Sequence, residues 1–113
     1  IGAVWVSDLT YIATGQGWLY LTVIIDLAIR KVIGWALSQS LDAQSTSIAA
    51  WKMAMRHQPI TRELIFHSDR GVQYACTEFR KLISQDERVV QSMSRKGNCW
   101  DNAVAESFLR PSR

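Results

Sequence analysis

Three apolar runs separated by short turn signals occupy the first third of the chain. Val4 to Ile12 reads VWVSDLTYI and is rich in β-branched and aromatic residues, which is typical of a β-strand. Trp18 to Asp26 is almost continuously apolar and predicts a strand buried on both faces, and Val32 to Ser38 predicts a third strand. Because Gly15–Gly17 and Arg30–Lys31 mark short turns between these runs, we expect an antiparallel meander.

The middle of the chain alternates helical spacing with short apolar runs. Asp42 is the predicted N-cap of a helix over Ala43 to Arg56. Leu64 to Ser68 predicts a short buried strand, and Thr77 to Gln85 has the apolar spacing of an amphipathic helix. Val89–Val90 predicts a last short strand.

The last part of the chain combines a basic loop with a predicted helix. The loop, Ser94 to Trp100, reads SRKGNCW, and Asp101 or Asn102 is the predicted cap of the helix that follows. Two pairs of residues one turn apart define the apolar and polar faces of that helix, Val104 with Phe108 and Asn102 with Glu106. The expected order, β-β-β-α-β-α-β-α, indicates a single mixed α/β domain over residues 1–113.

Composition restricts the class of protein but does not identify the function. With 113 residues, 48% of them hydrophobic, the chain is long enough for one globular domain with a real core. The net charge of +3 is compatible with a polyanionic partner but does not require one. The longest apolar stretch, Trp18 to Ile25, is too short to span a bilayer, and Cys76 and Cys99 form no CxxC pair. We therefore predict a cytoplasmic protein with reduced cysteines and no membrane partner.

Both ends of the chain look cut. A strand-like run begins almost at once, at Val4, and the sequence stops at Arg113, shortly after an apolar helical face begins. We expect a core taken from a longer protein, with segments missing at both ends.

Three acidic residues occupy unusual places in this pattern. Period two in the first strand puts Asp8 on a face with apolar neighbours, Asp69 follows a buried strand, and Glu106 lies on the last helix. Three carboxylates without a histidine or cysteine partner favour Mg²⁺ or Mn²⁺ over Zn²⁺, and two such ions can promote phosphoryl transfer. Ordinary surface acids and helix caps are the alternative that the spacing alone leaves open.

Four sequence blocks carry a resemblance to a known family: WVSDLTYI, WLYLTVIIDLAIRKVIGWALS, FHSDRGVQY and SMSRKGNCWDNAVAESF. Together they resemble the catalytic core of bacterial insertion-sequence transposases with a retroviral-integrase-like (DDE) domain, over nearly the whole chain. The resemblance implies a ribonuclease-H-like fold, in which helices flank a mixed five-stranded sheet. It also implies that Asp8, Asp69 and Glu106 hold two divalent metal ions.

The resemblance further implies a function in DNA transposition. The expected chemistry is metal-dependent cleavage of a DNA strand, followed by strand transfer to a target phosphodiester. The expected partners are transposon ends and target DNA at the bacterial nucleoid, with self-association of the full-length protein. Arg70, Arg95, Lys96 and Asn102 are the predicted DNA contacts, although a solvated basic loop and an N-cap role for Asn102 are alternatives.

Two other functions remain open from the sequence. Ile29 stands where the family usually has a polar residue, and the ending LRPSR departs from the family pattern after Phe108. An inactive transposase remnant that binds DNA or an intact transposase would fit these departures. A ribonuclease H acting on RNA–DNA hybrids would share the fold and the metal ions.

Several further residues have more than one possible role. Asp26 could support the metal site or serve as a strand-end carboxylate near Arg30 or Lys31, and His67 could orient Asp69, touch substrate, or be structural. We expect the tryptophans to lie in the core, with Trp100 the candidate for base stacking.

Overall fold

The computed structural model describes residues 3–94, which form five strands and three helices. The strands are β1 (Ala3–Thr14), β2 (Gly17–Asp26), β3 (Lys31–Ser38), β4 (Leu64–Ser68) and β5 (Val89–Met93). The helices are α1 (Ser47–His57), α2 (Val72–Ala75) and α3 (Thr77–Ser84). The predicted basic loop and final helix lie outside the described residues.

All five strands join one mixed sheet in the order β3-β2-β1-β4-β5. The first three strands form the predicted antiparallel meander, whereas β4 pairs with β1 in parallel and β5 pairs with β4 in parallel. A parallel partner needs a crossover connection, and here α1 supplies the one between β3 and β4. The predicted mixed five-stranded sheet flanked by helices is thus confirmed for this part of the chain.

One face of the sheet carries the hydrophobic core. Trp5 of β1 and Phe66 of β4 both pack against Trp51 of α1, each with ring centroids 5.4 Å apart. Phe79 of α3 completes the cluster, 5.4 Å from Phe66. Because aromatic side chains bury large areas, this cluster fixes both helices against the centre of the sheet.

The other face of the sheet has no cover among residues 3–94. The core face carries Trp5 and Phe66, so strand alternation turns the side chains of Trp35, Leu37, Ile65 and Val90 to the opposite face. Each of these four side chains is exposed by about half. We call this surface the open face. Trp35 was predicted to lie in the core, and that prediction is wrong for this part of the chain, as it is for the exposed Trp18.

Helix α1 begins later than the sequence predicts. Its first residue is Ser47 and its N-cap is Thr46, because Asp42 instead starts a turn in which its Oδ1 accepts from the Ser45 N–H at 2.7 Å. The prediction of Asp42 as the helix cap is therefore wrong. The expectation that β2 is buried on both faces is also wrong, since only Thr22, Ile24 and Asp26 are buried in it.

No helix within residues 3–94 is long and apolar enough to cross a membrane. The longest of them, α1, has 11 residues.

Candidate active site

Asp8 and Asp69 occupy equivalent positions on neighbouring parallel strands. The last paired residues of β1 and β4 are Val6 and His67, and each aspartate follows two residues later in its own chain segment. Parallel strands run in the same direction, so the two carboxylates lie at the same level, the edge of the sheet at which β4 ends while β1 continues. The structure thus brings together two of the three acids that the sequence singled out.

Asp8 is exposed, which differs from the prediction of a carboxylate among buried apolar neighbours. Val6 is buried on the same face, but β4 pairs with β1 only as far as Val6. Beyond that point β1 keeps β2 as its neighbour on one side, where Asp8 lies opposite Val23. The charge of Asp8 therefore stays in contact with solvent, and its Oδ1 accepts a hydrogen bond from the Leu9 N–H at 3.0 Å.

Asp69 is held by the turn that follows β4. The backbone N–H of Gly71 donates to Asp69 Oδ1 at 2.7 Å, and Asp69 itself is exposed. Gly71 is also the N-cap residue of α2, a one-turn helix that the sequence analysis did not predict. Four residues are too few to display a helical repeat, so the pattern of apolar positions held no signal for it.

A buried hydroxyl pair lies directly behind the two carboxylates. The Tyr74 hydroxyl is 2.8 Å from Ser7 Oγ, and Ser7 Oγ donates to the Val23 carbonyl at 2.9 Å. Burial, and then the negative charges of Asp69 and Asp8, raise the pKa of Tyr74, against the lowering effect of its bond to Ser7. Sequence reasoning missed Ser7 and Tyr74, although Tyr74 belongs to the FHSDRGVQY block.

The donor chemistry of this pair fits a hard divalent cation. Asp8 and Asp69 offer exposed carboxylate oxygens at one edge of the sheet, and such oxygens are the ligands that Mg²⁺ and Mn²⁺ prefer. Residues 3–94 gather no group of three histidine, cysteine, aspartate or glutamate side chains that could hold a metal ion by themselves.

Asp26 and His67 have structural roles in the described region. Asp26 is 2% exposed, and its carboxylate accepts hydrogen bonds from the Ala28 N–H and the Gln58 side-chain amide. The Asp26 side chain lies on the core face of the sheet, whereas Asp8 lies on the other face. The partner of Asp26 in β3 is Lys31. His67 Nδ1 bonds to Ser92 Oγ at 2.9 Å and so links β4 to β5. The strand-end role of Asp26 is confirmed, whereas a substrate contact by His67 stays a prediction.

The predicted DNA contacts are divided between the described and undescribed parts of the chain. Arg70 is exposed and lies next to Asp69 at the same edge of the sheet. The other predicted site residues, Arg95, Lys96, Asn102 and Glu106, lie outside the described residues, and so does Trp100.

Strand β5 ends beside the aspartate pair. It runs parallel to β4, with Met93 opposite Ser68, and the Ser94 N–H donates to the Ser68 carbonyl at 2.8 Å. The chain therefore leaves the described region at the level of Asp69.

Residues 2–99 match the family model of the integrase core domain. The chain belongs to the integrase core domain family. The resemblance expected from the four sequence blocks is thereby confirmed. The assignment covers most of the chain, including Asp8 and Asp69.

The chain is similar to curated proteins of bacterial insertion sequences. It is 46% identical over 105 residues to the "Insertion element IS600 uncharacterized 31 kDa protein" of Shigella sonnei, covering 93% of this chain and 38% of the relative. It is 43% identical to the "Transposase InsF for insertion sequence IS3A" of Escherichia coli strain K12, covering 93% of this chain and 36% of the relative. The chain thus spans a little over a third of the length of these relatives.

Solved structures confirm the ribonuclease-H-like fold of integrase and transposase cores. The simian T-cell lymphotropic virus intasome, solved with a PP2A regulatory subunit, matches with a TM-score of 0.73 at 16% identity, covering 92% of this chain and 36% of that one. The catalytic core of HTLV-2 integrase, solved with magnesium as a trimer, matches with a TM-score of 0.68 at 16% identity, covering 94% and 71%. At such low identity these matches establish the fold alone.

Proposed function

We propose that this integrase core is the catalytic domain of a bacterial DNA transposase. In this proposal it carries out metal-dependent cleavage of a DNA strand and transfer of the resulting 3′-hydroxyl to a target phosphodiester. The observation that carries the proposal is that Asp8 in β1 and Asp69 just after β4 each lie two residues beyond the last paired residues of these adjacent parallel strands. The names of the relatives, which include insertion-sequence transposases, support the choice of DNA as substrate.

Asp8, Asp69 and Glu106 are the proposed metal ligands. Two Mg²⁺ or Mn²⁺ ions, when bound, would supply Lewis-acid activation of the attacking and leaving oxygens. The protein's own contribution is to hold two negative charges at a solvent-accessible edge, with Asp69 fixed by the Gly71 N–H. A magnesium complex of the HTLV-2 integrase core supports the choice of metal.

Two observations support Glu106 as the third ligand. Ser94 is bonded to Ser68 at the level of Asp69, so the twelve-residue step from Ser94 to Glu106 starts beside the aspartate pair. Glu106 also lies in the SMSRKGNCWDNAVAESF block, one of the four blocks that resemble insertion-sequence transposases.

The same edge is the proposed meeting place with DNA. Arg70 is exposed beside Asp69, and Arg95 and Lys96 follow Ser94 immediately in sequence. Cationic side chains close to the metal ligands would contact phosphates and position the strand, and Asn102 would add a polar contact. We expect transposon ends and target DNA at the bacterial nucleoid as the partners, and self-association of the full-length protein.

Plasmid nicking tests this function directly. Supercoiled plasmid would be incubated with the chain and Mn²⁺, beside Asp69→Asn and Glu106→Gln variants and an Asp86→Asn control. Asp86 lies in the turn before β5, bonded to Arg88, so its variant should nick like the parent. Nicking that survives Asp69→Asn would refute the assigned site.

A second substrate separates transposase from ribonuclease H chemistry. An RNA–DNA hybrid would be offered to the same proteins under the same conditions. Faster cleavage of the RNA strand than of duplex DNA would favour the ribonuclease reading. Failure of the parent to bind Mn²⁺ or nick DNA would instead favour the inactive-remnant reading.

A further inference from the structure

We propose that α2 acts as a strut that sets the separation of Asp8 and Asp69, with Tyr74 and Ser7 as its positioning residues. The inference rests on the proposed function, because it concerns the two carboxylates of that site. It goes beyond that function by assigning a role to two residues that touch neither substrate nor metal. The strut is the continuous path from Asp69 through Gly71 and Tyr74 to Ser7, the neighbour of Asp8.

The first step is the direction of the hydrogen bonds at the Ser7 end. A serine hydroxyl has one proton, and Ser7 donates it to the Val23 carbonyl, which can only accept. The Tyr74 hydroxyl must therefore be the donor to Ser7 Oγ, at 2.8 Å. Val23 is also the residue opposite Asp8 in the β1–β2 ladder. The hydrogen bonds that start at Tyr74 therefore reach Ser7, next to Asp8 in β1, and Val23, opposite Asp8 in β2.

The second step is the other end of α2. Gly71 donates its N–H to the Asp69 carboxylate at 2.7 Å, and its own carbonyl accepts from the Tyr74 N–H at 2.9 Å. A second N–H, that of Ala75, reaches the same carbonyl at 3.0 Å. One helical turn therefore connects the group that orients Asp69 to the residue whose side chain reaches Ser7.

The third step is that α2 itself is anchored on two further sides. The Gln91 side-chain amide of β5 donates to the Tyr74 carbonyl at 2.8 Å, and Ser47 Oγ of α1 donates to the Gln73 carbonyl. The Tyr74 ring packs 5.7 Å from Phe79 and 6.2 Å from Phe66. Other contacts hold the ring and the backbone of Tyr74. The hydrogen bond of its hydroxyl to Ser7 therefore serves to connect α2 to β1.

The surroundings of the Tyr74 hydroxyl favour its hydrogen bond to Ser7. Tyr74 is 1% exposed and Ser7 is 4% exposed, so water does not compete for their hydrogen bond. Burial raises the pKa of Tyr74, and the charges of Asp69 and Asp8 act in the same direction. The phenol therefore remains a proton donor under the conditions in which both carboxylates are ionised and able to bind a cation.

The test measures Mn²⁺ affinity rather than activity. Electron paramagnetic resonance of free Mn²⁺ would give the dissociation constant for the parent chain and for the Tyr74→Phe, Ser7→Ala and doubly substituted variants. We expect each single variant to weaken Mn²⁺ binding about tenfold, the lower end for groups that orient metal ligands from outside the coordination shell. The double variant should match the single ones, since both remove the same bond.

Thr46→Val is the matched control for a lost buried hydroxyl. Thr46 is fully buried and donates to the Asp42 carbonyl at 2.7 Å, in the loop before α1. We expect this variant to lower the melting temperature while its Mn²⁺ affinity equals that of the parent. An equal loss of affinity in Thr46→Val would reduce the Tyr74 effect to general destabilisation and overturn the inference.

The remaining outcomes separate this inference from the proposed function. Parent-like Mn²⁺ affinity in both Tyr74→Phe and Ser7→Ala would overturn the strut and leave the metal site standing. If Tyr74→Phe does not fold, Ser7→Ala, which keeps every ring contact, decides alone. A parent that binds no Mn²⁺ would overturn the proposed metal site, and the strut with it.

Discussion

The Asp69 carboxylate lies so close to Gly71 that a side chain at position 71 would collide with it. A Cβ built on Gly71 would stand 2.9 Å from Asp69 Oδ1, closer than real Cβ atoms approach a neighbour. The backbone of Gly71, with φ −55° and ψ 149°, is one that any residue can adopt. The requirement for glycine at position 71 therefore comes from the carboxylate and not from backbone strain.

Gly71→Ala should consequently weaken Mn²⁺ binding more than it weakens the fold. We expect a loss of affinity of about tenfold, because the methyl group pushes the Asp69 carboxylate out of place. Titration of Mn²⁺ against the parent, Gly71→Ala and Gly15→Ala measures this. Gly15 has open space around its Cβ position and serves as the matched substitution. Identical affinities in all three proteins would contradict the prediction.

Gly34→Ala should damage the fold itself. A Cβ at Gly34 would stand 2.9 Å from the Ala54 Cβ and still closer to the Ala50 carbonyl, both in α1. Helix α1 would have to lift from β3, and overpacking of this kind costs roughly 1–3 kcal/mol. Urea unfolding would show the lower free energy of unfolding, and Gly15→Ala should leave it nearly unchanged. A parent-like midpoint in Gly34→Ala would show that the packing between α1 and β3 is loose.

Thr22→Val should raise the stability. Thr22 is fully buried, and its Oγ1 finds no hydrogen-bond partner within residues 3–94. Valine has nearly the same shape and removes a buried polar atom, so we expect a gain of about 1 kcal/mol in the free energy of unfolding. Thermal unfolding at matched pH measures it. A loss of stability would indicate that Thr22 Oγ1 has a partner, for example a water molecule or a group outside the described residues.

Stability should fall at alkaline pH through Tyr74. The pKa of Tyr74 in the folded protein is raised above its ordinary value of 10.0, first by burial and then by Asp69 and Asp8. The unfolded chain therefore releases this proton at lower pH than the folded chain does. The contribution is fully present below pH 10 and is lost as the pH rises above it.

Urea unfolding of the parent and Tyr74→Phe at about pH 9 and about pH 11 isolates this effect. The parent should lose more free energy of unfolding between the two conditions than Tyr74→Phe, which has no proton to release at this position. Equal losses would mean that Tyr74 titrates alike in the folded and unfolded chains.

The strands were predictable because their signals are local. Alternation, β-branched residues and glycine turns lie within each segment, so β1, β2 and β3 could be placed from the sequence with small errors at their ends. The start of α1 was misplaced because Asp42 can cap a turn as well as a helix, and only the surrounding structure decides between them.

The surroundings of the site could not be predicted in the same way. The exposure of Asp8 depends on where β4 stops pairing with β1, which is a property of two segments distant in sequence. The bond between Ser7 and Tyr74 joins residues 67 positions apart, and neither residue type signals it locally. The candidate metal ligands were named because motif blocks resemble a family, whereas their supporting contacts required the fold.

The parallel pairing of β1 with β4 has a consequence for synthesis of the protein. Asp8 and Asp69 are 61 positions apart in the chain, and β2, β3 and α1 are all translated between them. A polypeptide that ended just before Asp69 would contain α1 and all of β4 but only one of the two aspartates. Such an incomplete product would lack Asp69 and Glu106, two of the three proposed metal ligands, and under the proposed function it would not cleave DNA.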